Sequence, residues 1–145
     1  MTVGDAAERI VVDASVALAW VLPGESSDTA LGLRNLAIEE SLILLCPPTF
    51  WYEVANALWV AVRRERLSYD GAQRALDALR NFVFESHDAD AAACLSLATE
   101  YRLAVYDAAY IVLAMDSTAP LWTLDGQMAV SARNMGIRVG PSQEG

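Results

Sequence analysis

Four mostly apolar stretches of this chain each carry one carboxylate, at Asp13, Glu53, Asp107 and Asp125. From Ile10 to Leu22 the only polar side chains are those of Asp13 and Ser15, and from Phe50 to Val62, a tyrosine aside, those of Glu53 and Asn56. Asp107 is the sole charge between Leu103 and Met115, and Asp125 closes the run Pro120-Leu-Trp-Thr-Leu. A carboxylate taken out of water is costly unless something positive meets it, and few basic side chains lie near these positions in the chain. A divalent cation is the simplest partner for the set.

Each acid also has an ordinary explanation. Asp13, with Ser15 as a helper, is placed to cap a following helix, and Asp107, after Val105-Tyr106, is placed to do the same. Asp125-Gly126 is a common turn dipeptide. Glu53 and Asn56, three residues apart, share a helical face with Phe50, Ala57 and Val60. Trp51, Val54, Leu58 and Ala61 make the rest of that helix equally apolar, which predicts a helix buried all round, where a glutamate needs either a function or a strong partner. Four separate explanations must hold independently, whereas one metal site accounts for the acids together.

The elements that must position them alternate. Arg9 to Val12 reads as a strand, Ala14 to Leu22 as a short helix stopped by Pro23-Gly24, and Ser26-Ser27-Asp28 as the cap of a helix running to about Glu40. Leu42 to Leu45 is of strand length and ends at Pro47-Pro48. Thr49 opens a helix to about Arg66, and Ser68 to about Asn81 forms another. Further strands are expected at Phe82 to Glu85, Leu121 to Leu124 and Ile137 to Val139, with helices over Asp88 to Arg102, Asp107 to about Ser117, and Gln127 to Met135. Short apolar strands alternating with helices indicate an α/β sandwich around a parallel sheet, where ligands sit outside the carboxyl ends of the strands. Asp13 and Asp125 fall at such ends and Asp107 at a helix start, while Glu53 joins from the first turn of the helix after the second strand.

The 145 residues, 54% hydrophobic with mean hydropathy +0.27, suit one domain over 1–145 with loose ends at about 1–8 and 140–145. No basic segment precedes an apolar core at the start and no apolar run is long enough to span a membrane, so a cytoplasmic protein without membrane association is expected. Cys46 and Cys94 lack metal-ligand spacing and read as reduced core thiols. There is no lysine and one histidine, His87, which argues against a P-loop, a Schiff-base enzyme and a two-histidine ribonuclease. His87 is expected at a strand end without catalytic duty. The net charge of −9 opposes nucleic-acid binding unless cations occupy an acidic cleft and the ten arginines are grouped. Arg63, Arg64 and Arg66 cluster at a helix end, where the macrodipole favours cations. Trp20, Trp51, Trp59 and Trp122 read as core or interface anchors.

In this order the motifs Val11-Val-Asp-Ala-Ser15, Glu53-Val-Ala-Asn56-Ala-Leu58, Tyr106-Asp-Ala-Ala-Tyr110 and Leu121-Trp-Thr-Leu-Asp125 resemble those of the PIN-domain family, and within it the VapC-type toxins of toxin–antitoxin pairs. The resemblance spans nearly the whole chain. It implies a three-layer sandwich with a short central parallel sheet, and a Mg²⁺- or Mn²⁺-dependent endoribonuclease that hydrolyses RNA phosphodiester bonds. It further implies that Asp13, Glu53, Asp107 and Asp125 are the catalytic metal ligands, supported by Ser15, Asn56 and Thr123. A homodimer and a cognate VapB-like antitoxin covering the site are implied in the same way. The alternative is a catalytically silent PIN-like module that binds protein or RNA. A metal-dependent phosphatase ranks behind both, because the Asp-x-Asp nucleophile and the lysine are missing.

Overall fold

The computed structural model describes residues 8–22, 24 and 28–140. Its centre is a five-stranded sheet of β1 (Arg9–Val12), β2 (Ile43–Cys46), β3 (Val83–Ser86), β4 (Leu121–Trp122) and β5 (Val139–Gly140), in the order β3-β2-β1-β4-β5. Every pairing is parallel, with Ile10 opposite Leu44, Val12 opposite Trp122 and Leu44 opposite Phe84. Parallel strands joined by helical crossovers are covered on both faces, which is why β1 and β2 carry apolar residues in succession without polar alternation. Val11, Val12, Leu44, Leu45 and Leu121 are at most 1% exposed.

Among the described residues seven helices flank the sheet: α1 (Ala14–Val21), α2 (Asp28–Glu39), α3 (Phe50–Arg63), α4 (Tyr69–Leu79), α5 (Ala91–Tyr101), α6 (Val105–Ser117) and α7 (Gly126–Asn134). α1 packs with α2, α3 and α4, whereas α6 packs with α5 and α7 and runs against β1, β2 and β4. The α/β sandwich expected from the alternation of elements is therefore present. α6 buries more residues than any other helix described: Ala108, Tyr110, Ile111, Val112, Leu113 and Ala114. Phe50 and Trp51 of α3 meet Phe84 of β3 at centroid separations of 4.9 and 5.1 Å, and Trp20 of α1 meets Phe82 at 4.9 Å, which locks the edge strand to the helices above it.

The strand order decides where a ligand can sit. The chain steps outward from β1 through β2 to β3, then returns and steps outward the other way from β4 to β5. The direction reverses between β1 and β4, and in sheets of this kind ligands bind outside the carboxyl ends of the strands at such a reversal. Asp13 follows β1 directly, and the Thr123-Leu124-Asp125 loop follows β4.

Several boundaries move from those expected. β4 ends at Trp122, not Leu124, which releases Thr123 from the ladder. β5 lies at Val139–Gly140, not at Ile137. α6 begins at Val105, so Asp107 is not its cap: Ala104 occupies that place, and Asp107 is the third helical residue. Ser26 and Ser27, expected to cap α2, lie outside the described residues, as does the tail after Gly140. α3 is not buried all round. It buries Phe50, Val54, Leu58 and Ala61 but exposes Tyr52, Asn56 and Trp59, the last to 55%. Apolar residues on both faces of a helix reveal its hydropathy but not which face meets the core. Trp20 and Trp122 are core residues, and Arg63 lies 4.6 Å over the exposed Trp59 ring.

Candidate active site

Asp13 is 3% exposed and sits in extended backbone at the N-cap of α1. Its Oδ1 accepts from the Ser15 hydroxyl at 2.5 Å and from the Val16 N–H at 3.3 Å, and its Oδ2 accepts from the Thr123 hydroxyl. Both hydroxyls are oriented by the loop after β4. Leu124 N–H donates to Ser15 Oγ at 3.0 Å and Asp125 N–H to Thr123 Oγ1 at 2.9 Å. Since those oxygens already accept from the loop backbone, their own protons are free to point at the carboxylate. Capping and site formation are thus one arrangement at Asp13. Burial pushes the Asp13 carboxyl up from its usual range, while the Ser15 and Thr123 hydroxyls and the backbone N–H groups oppose that rise. Every one of these donors is neutral.

Glu53, half-buried in the first turn of α3, is held from two sides. Thr49, one turn earlier, donates from Oγ1 to Oε2 at 2.9 Å, and Tyr110 of α6 donates its hydroxyl to Oε1 at 2.8 Å. Thr49 is the N-cap of α3 but makes no side-chain cap bond, because its hydroxyl is committed to the glutamate. Burial, then the charge of Glu53, and after it the more distant charge of Asp13, push the Tyr110 phenol far above its usual range, so it remains a donor.

Asp107 lies one turn before Tyr110 on α6 and is half-buried. Burial raises its carboxyl first, and the negative charge of Asp125 raises it further. Asp125 is exposed and caps α7, its Oδ1 accepting from Met128 N–H at 3.0 Å. α6 thus carries Asp107 and, one turn further on, the Tyr110 hydroxyl that reaches Glu53. Ser15 and Thr123 both donate to the Asp13 carboxylate. Asn56 is exposed on α3 and makes no side-chain hydrogen bond among the described residues. Thr49 and Tyr110 were not anticipated as site residues, although spacings of four from Glu53 and three from Asp107 are the signal that could have marked them.

Among the described residues, none of the four acids is in an ion pair: the paired carboxylates are Glu85, with Arg9 and His87, and Asp70, with Arg74. No three His, Cys, Asp or Glu side chains among the described residues close into a ready ligand cage. The donor set nonetheless fits a hard divalent cation. It offers only carboxylate oxygens, and Mg²⁺ is typically held by one or two carboxylates with several waters rather than by an all-protein cage. His87 lies apart at the end of β3, its ring nitrogen 3.1 Å from Glu85. Cys46, buried, has its thiol pushed up to about 12 by burial and by the charge of Glu53, so it offers no thiolate.

Residues 10–133 match the family model of the PIN domain, a span that runs from β1 into α7 and encloses all four acids. The chain belongs to the PIN-domain family. This PIN domain is similar in sequence to Ribonuclease VapC3 of Pyrobaculum aerophilum, with 36% identity over 125 residues covering 83% of this chain and 92% of that protein. That likeness makes it a PIN domain of the VapC type. Its fold is similar to the crystal structure of PAE2754 from Pyrobaculum aerophilum, with a TM-score of 0.69 and 26% identity, covering 93% of this chain and 90% of that one.

Proposed function

We propose that this PIN domain is a Mg²⁺- or Mn²⁺-dependent endoribonuclease and the toxin of a VapBC-type pair. The observation that carries the reading is Asp13, a deeply buried carboxylate held by neutral donors alone at the β1/β4 switch point, and the reading takes Glu53, Asp107 and Asp125 as its partners. Among the described residues none of these four carboxylates has a counter-charge in an ion pair. The likeness to a protein named as a ribonuclease supplies the reaction class.

Asp13, Glu53, Asp107 and Asp125 would hold the cation. When bound, it supplies a Lewis acid that lowers the pKa of water to give a nucleophile near neutral pH and stabilises the charge on the reacting phosphate. The side chains do the positioning. Ser15 and Thr123 fix both oxygens of Asp13, Thr49 and Tyr110 fix those of Glu53, and Asn56 stands one turn further along α3 toward solvent. With water as nucleophile and no base for a 2′-hydroxyl, the products are a 5′-phosphate and a 3′-hydroxyl.

A cytoplasmic site of action is part of the same proposal, in keeping with the observation that no helix among the described residues is long and apolar enough to cross a membrane. A second copy of the chain and a VapB-like antitoxin are the proposed protein partners, a reading supported by the uncovered aromatic face of α3. The net charge of −9 favours one second reading, a silent PIN module that does not cut.

The test maps 5′-phosphate ends in total cellular RNA incubated with wild type or Asp13→Asn protein, with Mg²⁺ or with EDTA. Discrete cuts that require both Asp13 and metal are expected. Equal cutting by the variant would remove the site assignment. No cutting, together with no Mn²⁺ binding by calorimetry that Asp107→Asn removes, would favour the silent module.

A further inference from the structure

A recess of about 390 Å³ lies beside the carboxylates at the carboxyl ends of β2 and β3. Pro47 and Pro48 after β2, Thr49, Asp88 after β3, and Val105 and Tyr106 at the start of α6 are in its wall. Two links join it to the site. Thr49 lines the recess and donates to Glu53, and Tyr106 immediately precedes Asp107 in the first turn of α6. An occupant of the recess therefore shares the Thr49 wall with Glu53 and lies against the residue that precedes Asp107. The volume lies within the ~300–1,000 Å³ typical of small-molecule sites.

The lining narrows the chemistry of that occupant. Tyr106 is 64% exposed and Val105 45% exposed, and among the described residues Tyr106 makes neither a ring contact nor a side-chain hydrogen bond. No packing role accounts for an uncovered phenol ring at this position. A flat ring face at the edge of a nuclease site suits stacking with an unpaired base, an interaction open to all four bases. Asp88 is exposed and makes no ion pair or side-chain hydrogen bond among the described residues. Its carboxylate repels a phosphate but accepts from base N–H groups. The occupant that satisfies both residues is planar, uncharged and rich in N–H donors.

We propose that this recess receives one unpaired nucleobase of the RNA next to the cut, stacked on Tyr106 and selected by Asp88 for an edge with N–H donors. Guanine meets this best, since its adjacent imino and amino groups match the two oxygens of one carboxylate. The proposal rests on the ribonuclease reading and adds to it the origin of base preference.

Two readouts separate the proposal from that reading. The first is cleavage of a randomised single-stranded RNA pool, read by sequencing, with wild type, Tyr106→Ala, Tyr106→Phe and Asp88→Asn. The second is affinity for a short guanine-containing RNA in the Asp13→Asn background, with and without Tyr106→Ala, which needs no cutting. Thermal melts confirm that the variants fold. Tyr106→Ala is expected to lower kcat/KM and affinity by roughly 10- to 100-fold. Tyr106→Phe, which keeps the ring, recovers most of that loss, and Asp88→Asn weakens the guanine preference at one position beside the cut. Unchanged rate, pattern and affinity in Tyr106→Ala would overturn the pocket while leaving the nuclease intact. If wild type does not cut but Tyr106→Ala still weakens RNA binding, the nuclease reading fails and the base pocket stands. Absence of both cutting and Tyr106-dependent binding removes the pocket as well.

Discussion

Replacing Thr123 by valine removes a hydroxyl from between two polar groups and leaves the shape of the side chain nearly unchanged. Thr123 is 4% exposed, donates to Asp13 Oδ2 and accepts from Asp125 N–H. A hydrogen bond to a charged group contributes about 1.5–3 kcal/mol, and an N–H left without its partner adds a smaller loss, so the expected destabilisation is about 2–4 kcal/mol. For a chain of this length that lowers Tm by on the order of 10 °C. The assay is urea unfolding at pH 7 without added metal, on wild type, Thr123→Val, Asp13→Asn and the double variant. In the Asp13→Asn background the charge-assisted part is already gone, so the effect of Thr123→Val should shrink by about 1 kcal/mol or more, which is the coupling energy of the cycle. Thr123→Val within about 0.5 kcal/mol of wild type, or strict additivity with Asp13→Asn, would refute the hydroxyl bridge.

Other expectations concern charge, thiols and packing. Burial and the charge of Asp125 raise the Asp107 carboxyl above its ordinary 3.8, so between that value and its folded pKa the folded chain binds more protons than the unfolded one. Its contribution to stability therefore falls as pH rises through that interval. Asp107→Asn without metal should melt above wild type at pH 7, with the advantage shrinking on acidification; parallel melting curves across pH would contradict this. Cys46, with its thiol pushed up to about 12, and Cys94, also buried with a raised thiol, should be inert to Ellman's reagent at pH 8 until the protein is unfolded, whereas rapid labelling of the native chain would show them accessible. Gly140→Ala places a Cβ 2.7 Å from Trp122 Cδ1 and 2.9 Å from its Nε1, and should cost about 1–3 kcal/mol in urea unfolding. Unchanged stability would mean that the Trp122 ring yields freely.

Much of the architecture was readable because it depends on local pattern. β1 and β2 are short apolar runs bounded by an acid and by prolines, and continuous hydropathy without alternation is what a parallel strand covered on both faces requires. Isolated charge is local too, so Asp13, Glu53, Asp107 and Asp125 stood out in the chain before their positions in space were known. The burial of α3 was misjudged for the same local reason. Trp59 and Leu58 are both apolar neighbours on one helix, yet only contact with the rest of the fold buries Leu58 and leaves Trp59 exposed.

By itself the sequence determined the acids, their order and the end of β1 from which Asp13 emerges. The tertiary structure decided how they are held. Tyr110 reaches Glu53 across 57 positions of the chain and Thr123 reaches Asp13 across 110, pairings that exist only once α6 lies against the sheet and β4 lies beside β1. Desolvation was decided at the same stage: Asp13 is buried, Glu53 and Asp107 are half-buried and Asp125 faces water. A side chain carries its charge from synthesis onward, but its solvent and its hydrogen-bond partners come from residues far away in the chain.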